Sequence, residues 1–529
     1  MNRLFLLAVV LFLAHFRAFS QAGSLDKSFN GTGIVYTQVG PMSFNAFPNA
    51  VAIQPSDQKI LIAGEAVSSD GLTSFAVVRY LPNGALDPAF GTGGIAIISI
   101  GEDTYGASGI AIQSSGKIVL VGQFSIVLSG TQYSFAAIMR LTTAGILDNS
   151  FAGGGEENVA NLGASQVVLQ TNDEIIVGGT YNTEIGVMRF SKDGVKDAQW
   201  GGNGVSTFDA DPDNDDALLG MAIQPNGRVV LSAISNWGSY QMMIARLTTS
   251  GSADPAFGTN GKMFFTVGNN DDILVDGGLA IQTDGKIIVS GSYGAANGNI
   301  PMLIVRLNTN GTLDNSFAGN GKLGITTGPI CYTGGLAIQS DGKIISVGAS
   351  GPAGGPFTLV VVRINPSTGN LDAGFGFGGI VNTTLGTGTI GVSTVAIQAN
   401  GRIVVTTPSE QGTNDYVYTT VRYLATGTSG TSTTDEQADG HATGFDLPAS
   451  ATLRLYPNPA SSLLRVDGLD ATQITALVVT DASGHTVLTA KAERQYFTTL
   501  NIDNLPSGVY FLQTLTGGKK QTITFMKTR

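Results

Sequence analysis

Cysteine is nearly absent: Cys331 is the only one in 529 residues. No disulfide within the chain is available, so stability must come from packing. Histidine is almost as scarce. His15, His441 and His485 all lie outside the long central part of the chain. That excludes Ser-His-Asp and Cys-His catalysis there, and His-ligated zinc or iron as well. Charged residues make up only 13%, and the balance is acidic, with a formal net charge of −11. Such a chain is a poor match for nucleic acid or an anionic membrane surface. Beyond the first twenty residues no apolar run is long enough to cross a bilayer as a helix.

What is abundant is glycine, with 72 residues, which points to many tight turns and short strands. The chain also repeats itself. An apolar strand ending in glutamine recurs at Gln54, Gln113, Gln170, Gln224, Gln282, Gln339 and Gln398. An arginine closing a β-rich run follows each, at Arg79, Arg140, Arg189, Arg246, Arg306, Arg363 and Arg422. An Asp-x-x-aromatic motif recurs at Asp26, Asp87, Asp148, Asp197, Asp254, Asp314 and Asp372. Within a period, four strand-like runs alternate apolar and polar positions. In the second copy they are Gly94–Ile100, Gly109–Gln113, Lys117–Gly122 and Phe135–Leu141. Asn226-Gly227, Asp284-Gly285, Asp341-Gly342 and Asn400-Gly401 supply the positive φ angles of a type I′ hairpin turn.

Four antiparallel strands repeated seven times predict a seven-bladed β-propeller over residues 21–424, whose radial closure removes exposed strand edges. The third landmark comes first in the chain, and none follows Arg422. The strand around Ile34–Val39 is therefore expected to complete the last blade as a clasp. The repeated Arg and Asp are expected to pair and pin a turn, because a single active site needs asymmetry. As partly exposed pairs each would contribute under about 1 kcal/mol.

The repeat Ala-Ile-Gln-x-Asp-Gly-Lys-Ile followed by Arg-Leu-x-x-x-Gly-x-Leu-Asp-x-x-Phe resembles the delta-60 repeat family over about residues 24–424. That resemblance implies a propeller but no single activity. The third copy departs most: it reads Gln170-Thr171-Asn172-Asp173-Glu174, without the turn glycine, and Trp200 replaces phenylalanine.

The two ends carry export features. Arg3 followed by the apolar Leu4–Phe16 and the small-residue site Ala18-Phe19-Ser20 predict a signal peptide over residues 1–20, with Gln21 as the new N-terminus. Residues 425–450 are rich in Gly, Ser, Thr and Asp and are expected to be a flexible linker. Strand-like runs return over 451–529 without the long period, as expected for a small Ig-like β-sandwich in an all-β chain. This segment resembles the type A C-terminal sorting domain of the type IX secretion system. The residues that carry the likeness are Tyr456, Pro457, Asn458 and Pro459, then Gly508 and Tyr510, and the basic end at Lys527. It implies the type IX machinery as partner and an extracellular or outer-surface destination through the periplasm.

Candidate binding residues lie in the connections of variable length, which share one face of a propeller and are where a rigid scaffold presents function. They contain no Lys or Arg. They do contain Glu65, Glu102, Asp103, Glu184 and many further acids, with the aromatics Tyr105, Tyr133, Tyr181, Trp237, Tyr240, Tyr293, Tyr332 and Tyr416. Tyr133, Trp237, Tyr240, Tyr293 and Tyr416 are the candidates for a glycan or protein ligand, since aromatic faces suit both. Asp209, Asp211, Asp213 and Asp215 alternate as carboxylates in a calcium loop do. Asn214 and Gly220 stand where an EF-hand needs glycine and glutamate, so any calcium site here is of another kind. The leading expectation is a non-enzymatic binding or adhesion propeller. The alternatives are a glycan-active enzyme using paired carboxylates, or a structural surface-layer component.

Overall fold

The computed structural model describes residues 19–527. It leaves out 41–45, 68–71, 101–102, 129–130, 211–215, 236–241, 266–272, 275–276, 296–297, 387–389, 392, 412–415, 427, 430–453, 457–462, 468–473, 482, 494–496 and 517–518. The chain forms two compact units, Met1–Ala442 and Thr443–Arg529.

In the first unit the repeat becomes a series of four-stranded antiparallel sheets in which sequential strands are neighbours. The first sheet comprises Ala46–Ile53, Ile60–Val67, Thr73–Tyr80 and Ile95–Ile98, and the second Asp103–Ile112, Ile118–Leu128, Thr131–Leu141 and Glu156–Ala160. Seven such sheets are present among the described residues; in the fifth, the opening strand is split into Ile273–Leu274 and Leu279–Ile281. Each opening strand packs beside the opening strands of the sheets before and after it, and that of the seventh (Thr394–Ile397) packs against Ala46–Ile53. The ring is closed, with the glutamine-bearing strands innermost.

Ile95–Ile98, placed by sequence with the second copy, is instead the outer strand of the first sheet. The repeat read along the chain is thus offset by one strand from the sheet. Ile34–Thr37 pairs with Tyr416–Tyr423 and is the outer strand of the seventh sheet, which is the expected clasp. Even the connection is shared. Gly376 N donates to Ala22 O, as Gly91 N does to Ala144 O and Gly258 N to Asn310 O at other junctions. Ala22-Gly23-Ser24-Leu25-Asp26 therefore supplies the turn of the seventh repeat, of which Arg422 is the beginning.

Packing explains the motif. The aromatic of each Asp-x-x-aromatic is fully enclosed, from Phe29 to Phe375, with Trp200 in the third copy. Burying such a side chain stabilises by roughly 2–3 kcal/mol. The glycine of Arg-Leu-x-x-x-Gly covers the ring of the preceding sheet. Gly145 has φ 78°, and a Cβ there would stand 2.7 Å from Phe90 Cε2. Only glycine meets both demands.

The second unit holds two antiparallel sheets. One orders Arg454–Tyr456, Leu463–Asp467 and Phe497–Asn501; the other orders Thr486–Glu493, Ile474–Thr480, Gly508–Thr516 and Lys519–Lys527. Leu464, Val466, Leu477, Val479, Leu500, Leu512 and Phe525 form their common core. Thr486–Glu493 and Phe497–Asn501 were not anticipated. Their alternation is interrupted by charged and polar residues, leaving little apolar signal to find.

Candidate functional site

The three landmarks meet in every blade, on the face of the tight hairpin turns. Each arginine donates from Nε to the Oδ2 of its aspartate, at 2.7–3.0 Å in all seven. The aspartate's Oδ1 accepts the backbone N–H two residues on, as from Ala89 and Ser150, capping the turn. Each guanidinium lies over the aromatic ring of its own motif, 4.4–4.9 Å from the centroid. Its Nη1 reaches a carbonyl of the next sheet: Arg79 to Thr143, Arg140 to Lys192, and Arg422 to Pro82 across the closing junction. Where the glutamine joins in, its Oε1 accepts from the same Nη1, as in Gln224 and Arg246 at 3.4 Å.

Most of these pairs are buried, not partly exposed as the sequence suggested; the Arg189–Asp197 pair, at 21% and 24% exposure, is the exception. The Arg140 side chain is 2% exposed and Asp148 10%. A second cation completes most of them: Lys117 lies 2.8 Å from Asp148, Lys286 2.9 Å from Asp314, and Arg228 2.8 Å from Asp254. Burial opposes the charge of Asp148. Hydrogen bonds from Lys117, Ser150 and Arg140 outweigh it and hold the carboxyl well below the usual range. Asp314 is held low in the same way. The third sheet inverts the arrangement. Glu174 replaces the lysine, and Arg189 pairs with both Glu174 (3.3 Å) and Asp197 (2.6 Å). Every arginine and aspartate of this constellation is engaged by its partner, and the pairing is repeated around the ring, so the Arg–Asp pairs staple sheets together.

The opposite face is where the blades differ. Here Tyr332 and Phe357, with ring centroids 5.8 Å apart and tilted by 39°, flank a notch of about 260 Å³ between the sixth and seventh sheets. Thr333, Gly334, Ile390 and Gly391 complete its walls, and no titratable carboxylate lines it. Tyr332 is 38% exposed. Close backbone approach demands the glycines: a Cβ on Gly334 would lie 2.0 Å from Ser393 O.

The three predicted aromatics that fall among the described residues lie on different sheets. Tyr133 is exposed on the second sheet, opposite Ile126 in the long hairpin of Ile118–Leu128 and Thr131–Leu141. Tyr293 packs against the core shared by the fourth and fifth sheets, its hydroxyl beside Gly324. Tyr416 pairs with Phe47 at 5.3 Å where the seventh sheet meets the first. Trp237 and Tyr240 lie outside the described residues, as do Asp211, Asp213 and Asp215. Asp209 is described; its backbone carbonyl accepts from Lys262 Nζ at 2.7 Å. Among the described residues no group of three or more His, Cys, Asp or Glu is placed to hold a metal. Phe357 and Ile390 were missed, and only the variable length of their loops could have marked them. Glu65, among the acidic loop residues, is set apart by the structure: it is wedged against Gly106 of the second sheet. Burial pushes its carboxyl up to about 6.

In the second unit Gly508 opens the strand Gly508–Thr516. Tyr510 is buried, stacks on Phe525 at 5.5 Å, and donates its hydroxyl to Pro506 O. Tyr456 pairs in register with Arg465, and Lys527 is buried. Pro457, Asn458 and Pro459 lie outside the described residues.

A closed ring of repeated four-stranded sheets, followed along the chain by a separate two-sheet unit, defines a β-propeller repeat protein. The comparisons agree with that class. Residues 56–90, 113–151, 224–257, 282–317 and 339–375 match the DUF5122 β-propeller family, a domain of unknown function. Residues 454–528 match the secretion system C-terminal sorting domain. Five of the repeats thus match the DUF5122 β-propeller family and the last part of the chain matches a sorting domain of the type IX secretion system, which implies that machinery as partner and export to the cell surface or beyond. Most matched segments run from the glutamine to the aromatic. The unmatched third copy carries Glu174 and Trp200, and the seventh is split between the chain ends.

No curated protein matches the chain. Among solved structures it is similar to a Dyadobacter fermentans protein of unknown function: 10% identity, TM-score 0.43, covering 74% of this chain and 99% of that one. It is also similar to an ulvan lyase, with 11% identity, TM-score 0.42, and 73% and 96% covered. A Penicillium chrysogenum α-L-arabinanase gives 13%, 0.37, and 76% and 98%. Likenesses this distant say nothing about what this chain binds.

Proposed function

We propose that the exported propeller is a binding or adhesion module whose variable-loop face receives an extracellular glycan or protein. The observation that carries this reading is the notch between Tyr332 and Phe357, where two aromatic rings converge on the face on which the blades differ. An aromatic-walled recess of this kind suits a sugar ring or an aromatic anchor of a partner. A glycan array and a cell-surface pull-down with the mature chain test it, with Tyr332→Ala as control. Binding that is lost in that variant supports the reading; identical binding by both chains sinks it.

A second reading, a carboxylate-dependent glycan-cleaving enzyme, is favoured by one observation. Glu65, half-buried on the same face, keeps its proton to about pH 6, as a general acid must. Such chemistry needs a partner acid roughly 5–9.5 Å away. Release of reducing ends from a polysaccharide panel, abolished by Glu65→Gln, would establish it over simple binding.

A further inference from the structure

We propose that a cleft between the first and second sheets, on the hairpin-turn face and away from the variable loops, binds a neutral saccharide. Its origin is a single extra residue. In the second sheet Gln113 N bonds Lys117 O across the turn, and the other later turns have the same length; in the first sheet Gln54 N bonds Lys59 O. The surplus is absorbed by Gln58 at φ 59°. Gln58 ties the enlarged turn to the seventh sheet, its carbonyl accepting from Gln398 Nε2 at 2.9 Å and its Oε1 from Ala399 N at 2.7 Å. On the other side, towards the second sheet, a cleft of about 740 Å³ lies open.

The cleft's chemistry narrows the ligand. Gln54 lines it and is 5% exposed, and its Oε1 has no hydrogen-bond partner. The equivalent oxygens of Gln224 and Gln398 accept from Arg246 and Arg422. Gln282 and Gln339 share the unpartnered oxygen, but Gln54 is the one that lines this cleft. A buried acceptor left alone is costly, and a ligand donor relieves it.

Charge excludes ions. Lys59 bonds Asp57 and Asp87, and Arg79 bonds Asp87, so two cations answer two carboxylates. Pro55, Ile112 and Ala144 add apolar wall, and Ser56 and Ser115 add hydroxyls. A ligand that donates to a buried carbonyl, exchanges hydrogen bonds with hydroxyls and rests C–H groups on apolar walls, without charge, is a hydroxylated ring.

Saturation-transfer NMR on the mature chain tests this, with the methyl glycosides of glucose, galactose, mannose and N-acetylglucosamine as probes. Transfer to at least one probe is expected. Gln54→Leu should weaken it about tenfold or more, and Ser115→Trp should abolish it by filling the cleft. All of these measurements are made in the Tyr332→Ala background, which removes the loop-face notch, so that the transfer observed reports the cleft alone and its failure is read apart from that of the proposed binding face. No transfer to any probe overturns the assignment. So does transfer that survives both cleft variants while their circular dichroism and melting stay native.

Discussion

Arg422 and Asp26 stand 396 positions apart in the chain and share a hydrogen bond of 2.9 Å from Nε to Oδ2. In the six other blades the same pair is separated by eight or nine residues. A local turn contact has become the lock of the ring. Asp26 also takes Arg402, the backbone N–H of Ser28 at 3.0 Å and its hydroxyl at 2.6 Å. Arg422 lies over Phe29 and reaches Pro82 of the first sheet.

Closure should therefore govern stability as a whole. Breaking a buried pair by removing one partner typically costs about 3–5 kcal/mol. Asp26→Ala is expected to fall in that range and to lower the guanidinium midpoint in a single cooperative transition. Deleting residues 21–40 should do more, since it opens two strand edges and two apolar faces. A midpoint unchanged in either variant would mean that the ring does not depend on its clasp.

Acid should unfold the propeller through the same pairs. The seven aspartates Asp26, Asp87, Asp148, Asp197, Asp254, Asp314 and Asp372 are all held below the ordinary carboxylate value. For Asp197 the hydrogen bond from Arg189 leads; at the other six, burial is overcome by hydrogen bonds and neighbouring cations. A depressed folded value means stability that is present above the unfolded value, near pH 4, and lost as pH falls through the folded one. The melting temperature should drop steeply below about pH 4. Glu65 has the opposite sign. Its carboxyl is raised to about 6, so its contribution is intact below about pH 4.5 and is lost as pH rises through 6. Glu65→Gln should thus stabilise at pH 7, by about 1 kcal/mol after allowing for its partial exposure. Melting curves across pH read both effects.

Calcium remains a proposal that rests on the sequence. The alternating carboxylates from Asp209 to Asp215 offer several hard oxygens, while the Lys262 amine on the Asp209 carbonyl places a cation at the root of the loop. If calcium binds the folded chain alone, at a hundredfold excess over Kd it stabilises by about 2.7 kcal/mol. The melting temperature should rise in millimolar calcium, and Asp211→Asn with Asp213→Asn should remove the rise. Superimposable curves in calcium and in chelator would reject the site.

Much of the propeller was legible because seven copies average out local noise. A glutamine, an arginine and an aspartate recur because they meet in space, and that meeting holds each sheet to the next. What the repeat concealed was sheet phase: Ile95–Ile98 precedes Gln113 in sequence yet pairs with the sheet of Gln54. It also concealed burial, because exposure of an Arg-Asp pair depends on the aromatic beneath it and the neighbouring blade above. The loop face was legible only as composition. Tyr133, Tyr293 and Tyr416 occupy different sheets, since loops lack the period that fixes direction. Phe357 and Ile390 meet Tyr332 through loop paths that no spacing rule encodes.

The export assignment makes the last prediction. Nothing in a closed ring of buried pairs is an address, and the sorting domain is a compact unit of its own from Thr443 onward. Its charge also differs: residues 450–529 carry eight Lys and Arg against five Asp and Glu, while residues 24–424 carry 18 against 30. Removing residues 443–529 should therefore leave a propeller that melts as it does in the full chain, yet is retained inside the outer membrane. Tyr510→Asp is the finer test. It introduces a charge where a buried ring stacks on Phe525 and its hydroxyl holds Pro506. An unpaired charge in so small a core should unfold the domain without touching the ring. Both variants should accumulate in the periplasm with protease-resistant propellers, read by immunoblot of cell fractions. Either variant found outside intact cells in full-length amounts would show that these residues are not what the machinery reads.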